Sequence, residues 1–222
     1  MSRLFTYIIT QDCGSAPNPF NGMCTLAICK PAIRRVAEIG DWVVGFASVN
    51  APNNLGHKMI YAMKVTGKVT MQAYDQLSRS SLPNRIPNVN SWHLPDRLGD
   101  SIYDYQNLNA YGIPAIRNSV HDEGNRTTDL GGENVLLSTH FYYFGSNAIA
   151  IKEELRKIVP VTQGHRSTSN QDVLPQFETW IASQGEMGQR GWPSFSIDWK
   201  CGAACNSCSV APDDETEEFD CP

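Results

Sequence analysis

The sequence lacks most of the features that mark membrane proteins and the commonest enzymes. No apolar run approaches the roughly 20 residues of a membrane-spanning helix. The opening segment MSRLFTYIITQDCG has neither the long apolar region nor the small-residue cleavage site of a secretory signal. A phosphate loop, a GxGxxG motif, an HExxH pair and a Ser-His-Asp order are also missing. We therefore expect a cytoplasmic protein outside the common hydrolase, protease and nucleotide-triphosphatase classes.

Positive charge is scarce as well. The formal net charge is −5, and the segment 200–222 accounts for all of it, with one lysine and six acidic residues. Nonspecific duplex binders have a basic surplus that displaces counterions from phosphates, and this chain has none. The composition leaves room for a pocket that takes one base or nucleotide, with a phosphate met by Lys30, Arg34 and Arg35 or by His165 and Arg166.

Cysteines are present in an unusual arrangement. There are seven without a secretory signal, which favours metal or thiol chemistry over a disulfide framework. Four of them, with close spacing in the first three, are candidate zinc ligands: Cys201, Cys205, Cys208 and Cys221. An acidic tail with ordinary thiols is the alternative, and an iron–sulfur triplet is disfavoured by its position late in the chain. We divide the chain into a domain at 1–199 and a Cys-rich acidic tail at 200–222.

Candidate catalytic residues cluster near the N-terminus. Asp12 follows a predicted strand and is a candidate base, a ligand for a base amino group, or a cap that orders the loop. Cys13 is the candidate nucleophile on the loop, and Lys30 is the third candidate. Cys24 and Cys29 lie in the apolar run MCTLAIC, which is typical of small buried hydrophobic residues.

The pattern of apolar residues and breakers predicts both strands and helices. Strands are expected within residues 1–11, at 42–47, at 58–69 and at 134–144, and helices from about Lys30, at 150–159 and at 171–184. A loop is expected at 13–22, and residues 71–133 are rich in Pro, Gly, Ser and Asn. We interpret 71–133 as long loops that form a lid or a surface for nucleic acid, on which Trp92 stacks on a base or anchors into the core.

Six blocks occur in a fixed order over roughly residues 5–181: APNPFNGMCTLAICKPAIRR, GDWVVGFAS, IYAMKVTG, GDSIY, HFYYFGSNAI and QGHRS. This order resembles the family called nucleotide modification associated domain 2, in the PUA-like class that includes ASCH, EVE and YTH modules. The resemblance implies an α+β fold, a PUA-like mixed β-barrel flanked by helices, with long loops and the Cys-rich tail added. It also implies a place in phage or bacterial systems that make or handle modified DNA bases, without implying a defined reaction.

The function expected on these grounds is binding of a modified base or nucleotide. The expected ligand-binding residues are Asp12, Asn18, Phe20, Trp42, Phe46, Ser48, Asn50, Trp92, His140, Tyr142, Phe144, His165 and Arg166. One alternative is an enzyme that transfers a group on a base or hydrolyses an amide, which requires Asp12, Cys13 or Lys30 to converge in one pocket. Another is a partner-binding protein that uses the acidic tail.

Overall fold

The computed structural model describes residues 2–160 and 168–197. The candidate ligands His165 and Arg166 and the candidate zinc ligands Cys201, Cys205, Cys208 and Cys221 lie outside the described residues. The strands are β1 (Leu4–Ile9), β2 (Cys24–Leu26), β3 (Trp42–Ala47), β4 (Met59–Lys64), β5 (Gly67–Thr70), β6 (Tyr103–Leu108), β7 (Pro114–Ile116), β8 (Asn134–Ser138), β9 (His140–Tyr143) and β10 (Gly188–Gln189). The α-helices are α1 (Pro31–Val36), α2 (Met71–Ser80), α3 (Leu94–Arg97), α4 (Arg126–Leu130) and α5 (Leu174–Ala182), and the longer 3-10 helices are Glu153–Ile158 and Thr168–Val173.

The fold is α+β, as predicted, and residues 2–160 and 168–197 form three sheets. Strands β1-β3-β4-β9-β10 form the largest sheet, in which β1 and β3 are parallel and β4 is antiparallel to both β3 and β9. Strands β2-β8-β5 form a second sheet and β6-β7 a hairpin. The first two sheets share connections, because β4 leads into β5 and β8 leads into β9.

Each of the strands predicted at 58–69 and 134–144 is in fact a pair of strands. The breaks face each other, and side-chain hydrogen bonds hold them. The hydroxyl of Ser138 donates to the carbonyl of Lys64 (2.6 Å), and the hydroxyl of Thr66 accepts from the amide of Thr139 (3.1 Å). The apolar alternation continues across both bends, so the sequence pattern did not reveal them.

The largest sheet has a different apolar core on each face. Its inner face packs against β2 and β8, and the buried side chains there include Tyr7, Tyr61 and Tyr143. Its outer face carries Trp42, Phe46, Tyr142 and Phe144 and is covered by α5 and the two longer 3-10 helices, which contribute Leu155, Ile158, Val173, Leu174, Phe177, Trp180 and Ile181. Successive strand residues point to opposite faces, so the run from Phe141 to Phe144 serves both cores.

Residues 71–133 are more ordered than predicted. They contain α2, α3, α4 and the β6-β7 hairpin between connecting loops. Helix α2 begins after Thr70, whose hydroxyl accepts from the amide of Ala73 (3.2 Å). This helix buries Tyr74 in a third apolar cluster, together with Phe20 and Leu98. The helix was missed because its sequence, MQAYDQLSRS, has few apolar residues.

Candidate functional site

A row of tyrosines crosses the inner face of the largest sheet. Strand pairing places Tyr7 opposite Gly45, Gly45 opposite Tyr61, and Tyr61 opposite Tyr143. All three tyrosines are essentially inaccessible to solvent. The hydroxyl oxygens of Tyr7 and Tyr61 are 2.9 Å apart, and the two rings meet edge to face.

Gly45 makes room for this row. A Cβ atom there would lie 2.4 Å from Cδ1 of Ile9 and 2.6 Å from Cε1 of Tyr61. Real Cβ atoms do not approach other atoms so closely. A glycine is therefore required at position 45, because the ring of Tyr61 approaches the backbone closely.

Asp12 terminates the row at the Tyr143 end. The Tyr143 hydroxyl donates to Oδ1 of Asp12 (2.7 Å), and the backbone amide of Ser194 donates to Oδ2 (3.3 Å). Asp12 is only 2% exposed, and this burial raises its pKa to about 6, although the bonds from Tyr143 and Ser194 oppose the rise. We call Asp12, Tyr7, Tyr61 and Tyr143 the Asp12 cluster.

The remaining polar groups of the cluster keep their protons at neutral pH. Burial raises the pKa of Tyr7, Tyr61 and Tyr143 above the ordinary tyrosine range. Burial also raises the pKa of the nearby Cys24 thiol. The cluster therefore offers neutral hydroxyl groups and one carboxyl group that titrates close to neutrality.

A C-terminal segment covers the Asp12 end of the row. The amide of Arg190 donates to the carbonyl of Tyr143 (2.7 Å), and the amide of Phe195 donates to the carbonyl of Asp12 (3.0 Å). Trp192 lies against Phe20, with ring centroids 6.1 Å apart. We call residues 190–195 the covering segment.

The three catalytic candidates differ in how they relate to this cluster. Lys30 places its ammonium 5.0 Å from the ring centroid of Tyr7, at the opposite end of the row from Tyr143. Cys13 is buried in the apolar cluster that contains Phe20. Asp12 and Lys30 therefore border the same row of tyrosines. Cys13 follows Asp12 in the sequence, but its side chain lies in the third apolar cluster.

The aromatic candidates lie on the other face of the sheet. Trp42, Phe46, Tyr142 and Phe144 are buried beneath the helices, and the Trp42 ring meets Phe177 edge to face (5.4 Å). His140 packs edge to face on Trp42 (5.3 Å), and its pKa is lowered by burial and by the charge of Lys64. The structure does not bring these five residues together with Asp12.

The polar and loop candidates are dispersed. The Asn18 amide donates to the carbonyl of Leu98 (2.9 Å) and accepts from Arg85 (2.6 Å), so it ties its loop to the third cluster. Ser48 lies at the Asp12 end of β1, where its amide donates to the carbonyl of Ile9 (3.0 Å). Asn50 is exposed, and Trp92 is 93% exposed, so neither borders the Asp12 cluster.

A second cluster was missed by sequence reasoning. Nδ1 of His121 lies 2.6 Å from Oδ2 of Asp129, and Nε2 of His121 lies 3.6 Å from Sγ of Cys29. The ligand-type atoms of the three buried residues all lie within 4.8 Å of one another, so the group could hold a metal ion. Cys29 is disulfide-bonded in this structure, which corrects the expectation that it is a free buried thiol.

No local sequence pattern predicts this second cluster. His121 and Asp129 are 92 and 100 residues from Cys29 in the chain, and both lie in the region interpreted as loops. The one local sign is the position of Cys29, directly before Lys30 and Pro31 at the junction of a strand and a helix.

The sequence profile described as nucleotide modification associated domain 2 matches residues 1–202. The chain belongs to this family. No curated protein and no solved structure matches it. Both the Asp12 cluster and the Cys29 cluster lie within the matched domain, whose name associates it with nucleotide modification. In the described part of the chain, no helix is long and apolar enough to cross a membrane.

Proposed function

We propose that this nucleotide modification associated domain binds a modified base or nucleotide at the Asp12 cluster. The observation that carries the proposal is a buried carboxyl group at the end of a row of three tyrosines, inside a domain of this family. Burial disfavours the charged form of Asp12 even though Tyr143 and Ser194 donate hydrogen bonds to it, so its placement on the core face is unusual for a purely structural sheet. Asp12 has the central role, and the tyrosine hydroxyls surround it.

The chemistry of the cluster suits the edge of a base. A protonated carboxyl group donates one hydrogen bond and accepts another, which matches the adjacent donor and acceptor atoms on a base edge. The hydroxyl of Tyr143 can then turn to an added hydroxyl or amino group. A base without the added group leaves a buried partner unpaired, which costs about 1–3 kcal/mol. We infer that Lys30, whose ammonium lies 5.0 Å from the ring centroid of Tyr7, meets a phosphate of a bound nucleotide.

Access requires a movement of the covering segment. Asp12 is 2% exposed, and residues 190–195 hold both its carbonyl and one carboxylate oxygen. The contacts that such a movement would break include backbone hydrogen bonds to Tyr143, Ser146 and Asp12, the bond from the Asn147 side chain to the carbonyl of Arg190, and the contacts of Trp192 with Phe20 and of Arg190 with Phe144. We infer that a ligand replaces the Ser194 amide at Oδ2 of Asp12.

Catalysis at the same site is the second candidate, and one observation favours it. The pKa of Asp12, raised to about 6, lies near the value at which a carboxyl group both accepts and releases protons at neutral pH. Asp12 would then move a proton on the bound base. Turnover separates this candidate from binding alone.

The test is a binding titration with unmodified and modified deoxynucleosides and their monophosphates, by native mass spectrometry and calorimetry. Tyr143→Phe removes the hydroxyl that donates to Asp12, and Tyr74→Phe is the matched control because its buried hydroxyl donates to Asp100 in the same way (2.6 Å). We expect Tyr143→Phe to weaken binding of the preferred ligand by about 5-fold to 100-fold. Tyr74→Phe is expected to leave binding within about twofold.

Equal effects of the two tyrosine variants, or the absence of binding across the panel, would contradict the proposal. Chromatography of the same mixtures after incubation detects a converted nucleoside. Conversion that disappears in Asp12→Asn would support the enzyme, whereas binding without conversion supports the ligand-binding domain.

A further inference from the structure

Cys29 lies at a strained junction between β2 and α1. Its φ is +59° and that of Lys30 is +43°, so two successive residues other than glycine adopt left-handed backbone conformations. Each such residue costs of order 1–3 kcal/mol and persists only where the surroundings enforce it. The nucleophile of many hydrolases lies on a comparable strand-to-helix turn. Strain of this kind suggests a role for the side chain at the turn.

Asp129 and Arg34 enforce the strained conformation. Oδ1 of Asp129 accepts from the amide of Cys29 (2.8 Å), and Nε of Arg34 donates to the carbonyl of Cys29 (2.7 Å). Arg34 is fully buried and donates also to the carbonyls of Asn134 (2.8 Å) and Asp129 (2.5 Å). The arginine expected to meet a phosphate therefore fixes the backbone around the cysteine.

The same aspartate orients His121 toward the sulfur. Oδ2 of Asp129 lies 2.6 Å from Nδ1 of His121 and accepts from the hydroxyl of Tyr103 (3.0 Å). When Nδ1 carries the proton, the free electron pair on Nε2 points to Sγ of Cys29, 3.6 Å away. A carboxylate that orients an imidazole, which in turn faces a nucleophile, is the arrangement of catalytic triads. Asp129 therefore acts on the imidazole, and a metal ion would have only Nε2 and the sulfur as open donors.

We propose that Cys29, His121 and Asp129 form a thiol site that becomes active on reduction and exchanges with small thiols and disulfides. In the disulfide form, the thiolate of a small thiol attacks the sulfur bonded to Cys29. The S–S bond breaks, a new disulfide forms on the attacking sulfur, and the bonding electron pair remains on Sγ of Cys29. In the reduced form, Nε2 of His121 takes the thiol proton of Cys29, and the thiolate attacks one sulfur of an external disulfide. A new S–S bond forms on Sγ of Cys29, the external S–S bond breaks, and its other half leaves as a thiolate.

Cys24 provides a contrast within the same chain. It is buried at the opposite end of β2, and burial raises the pKa of its thiol. The charged groups that act on it are Arg85, Asp100 and Asp12, and no histidine is among them. A buried thiol whose pKa is raised in this way should react slowly, so Cys24 is an internal reference for Cys29.

The experiment measures alkylation of each cysteine in the full-length protein. Iodoacetamide is added at pH 7 before and after reduction by a phosphine and its removal, and tandem mass spectrometry resolves the sites. An unassisted thiol with a pKa near 8.5 is only a few per cent thiolate at pH 7. We therefore expect reduced Cys29 to react at least about 10-fold faster than Cys24 and unreduced Cys29 not to react. Incubation of the reduced protein with oxidised glutathione should form a mixed disulfide at Cys29 and release one glutathione.

Two variants distinguish proton transfer to His121 from an effect of packing around Cys29. His121→Gln removes the base and should slow alkylation of Cys29 about 10-fold, whereas Tyr74→Phe removes a buried hydroxyl that donates to Asp100, away from His121 and Asp129, and should not. Circular dichroism checks that each variant is folded. The comparison of Cys29 with Cys24 in the wild-type protein needs no variant.

Three results would overturn the proposal. They are equal alkylation rates for Cys29 and Cys24, a Cys29 rate that His121→Gln leaves unchanged, and alkylation of Cys29 before reduction.

Discussion

Replacement of Asp12 by asparagine should change how stability depends on pH. The pKa of Asp12 rises from 3.8 to about 6 on folding, chiefly because burial disfavours its charge. At 1.36 kcal/mol for each pKa unit, the charged carboxylate destabilises the native protein by about 3 kcal/mol above pH 6. Asparagine has nearly the same shape and carries no charge at any pH.

The direction of the effect follows from proton linkage. Between pH 3.8 and about 6 the native protein retains a proton that the unfolded chain has released, so stability falls as the pH rises through this window. Asp12→Asn lacks this loss. Its stability relative to the wild type should therefore increase by about 2–3 kcal/mol from pH 4 to pH 7.

Urea denaturation of both proteins at pH 4, 5, 6 and 7 measures this difference. Every other titratable group is common to the two proteins, so subtraction isolates Asp12. The two proteins should also differ in free energy of unfolding by a constant amount at all four pH values. The reason is that asparagine loses the weak hydrogen bond from the Ser194 amide when its own amide nitrogen occupies the Oδ2 site. A relative stability that is flat between pH 4 and pH 7, or that falls, would refute the argument that burial dominates the environment of Asp12.

Two further substitutions test the packing around the two clusters. Gly45→Ala should destabilise by about 1–3 kcal/mol in urea denaturation, because its Cβ would collide with the Tyr61 ring, whereas Gly67→Ala meets its nearest atom at 3.4 Å and should cost less than about 1 kcal/mol. A similar cost for both glycines would contradict the argument. Arg34→Met should lower the free energy of unfolding by about 3 kcal/mol or more, because three carbonyl groups lose their donor. The lower stability should appear as a lower thermal midpoint. Arg156→Met, at a side chain 70% exposed, should change stability by no more than about 0.5 kcal/mol.

Local sequence pattern was enough for the elements that pack in a simple way. The first strand, the Trp42 strand and the start of α1 at Pro31 followed from alternation, from glycine and from the tolerance of proline in a first helical turn. Helix α5 followed from its apolar stripe. Asp12 was singled out because it ends a strand, which is a local property.

The partition of the aromatic residues could not be obtained in the same way. Alternation predicts that Tyr142 and Tyr143 point to opposite faces, but it does not say which face meets helices and which meets a second sheet. The helices that cover Trp42 come from the C-terminal part of the chain. The pocket expected from Trp42, Phe46 and Tyr142 is for this reason a packed core.

The sequence by itself determined the family, the α+β class and the candidacy of Asp12, because these depend on residue order and short-range periodicity. Only the tertiary structure decided that Tyr143 donates to Asp12 and that His121 and Asp129 meet Cys29, since these partners are 131, 92 and 100 residues apart. The protonation of Asp12 likewise depends on the tertiary structure. Desolvation by the folded chain, which no residue type encodes alone, raises the pKa of Asp12 toward neutrality.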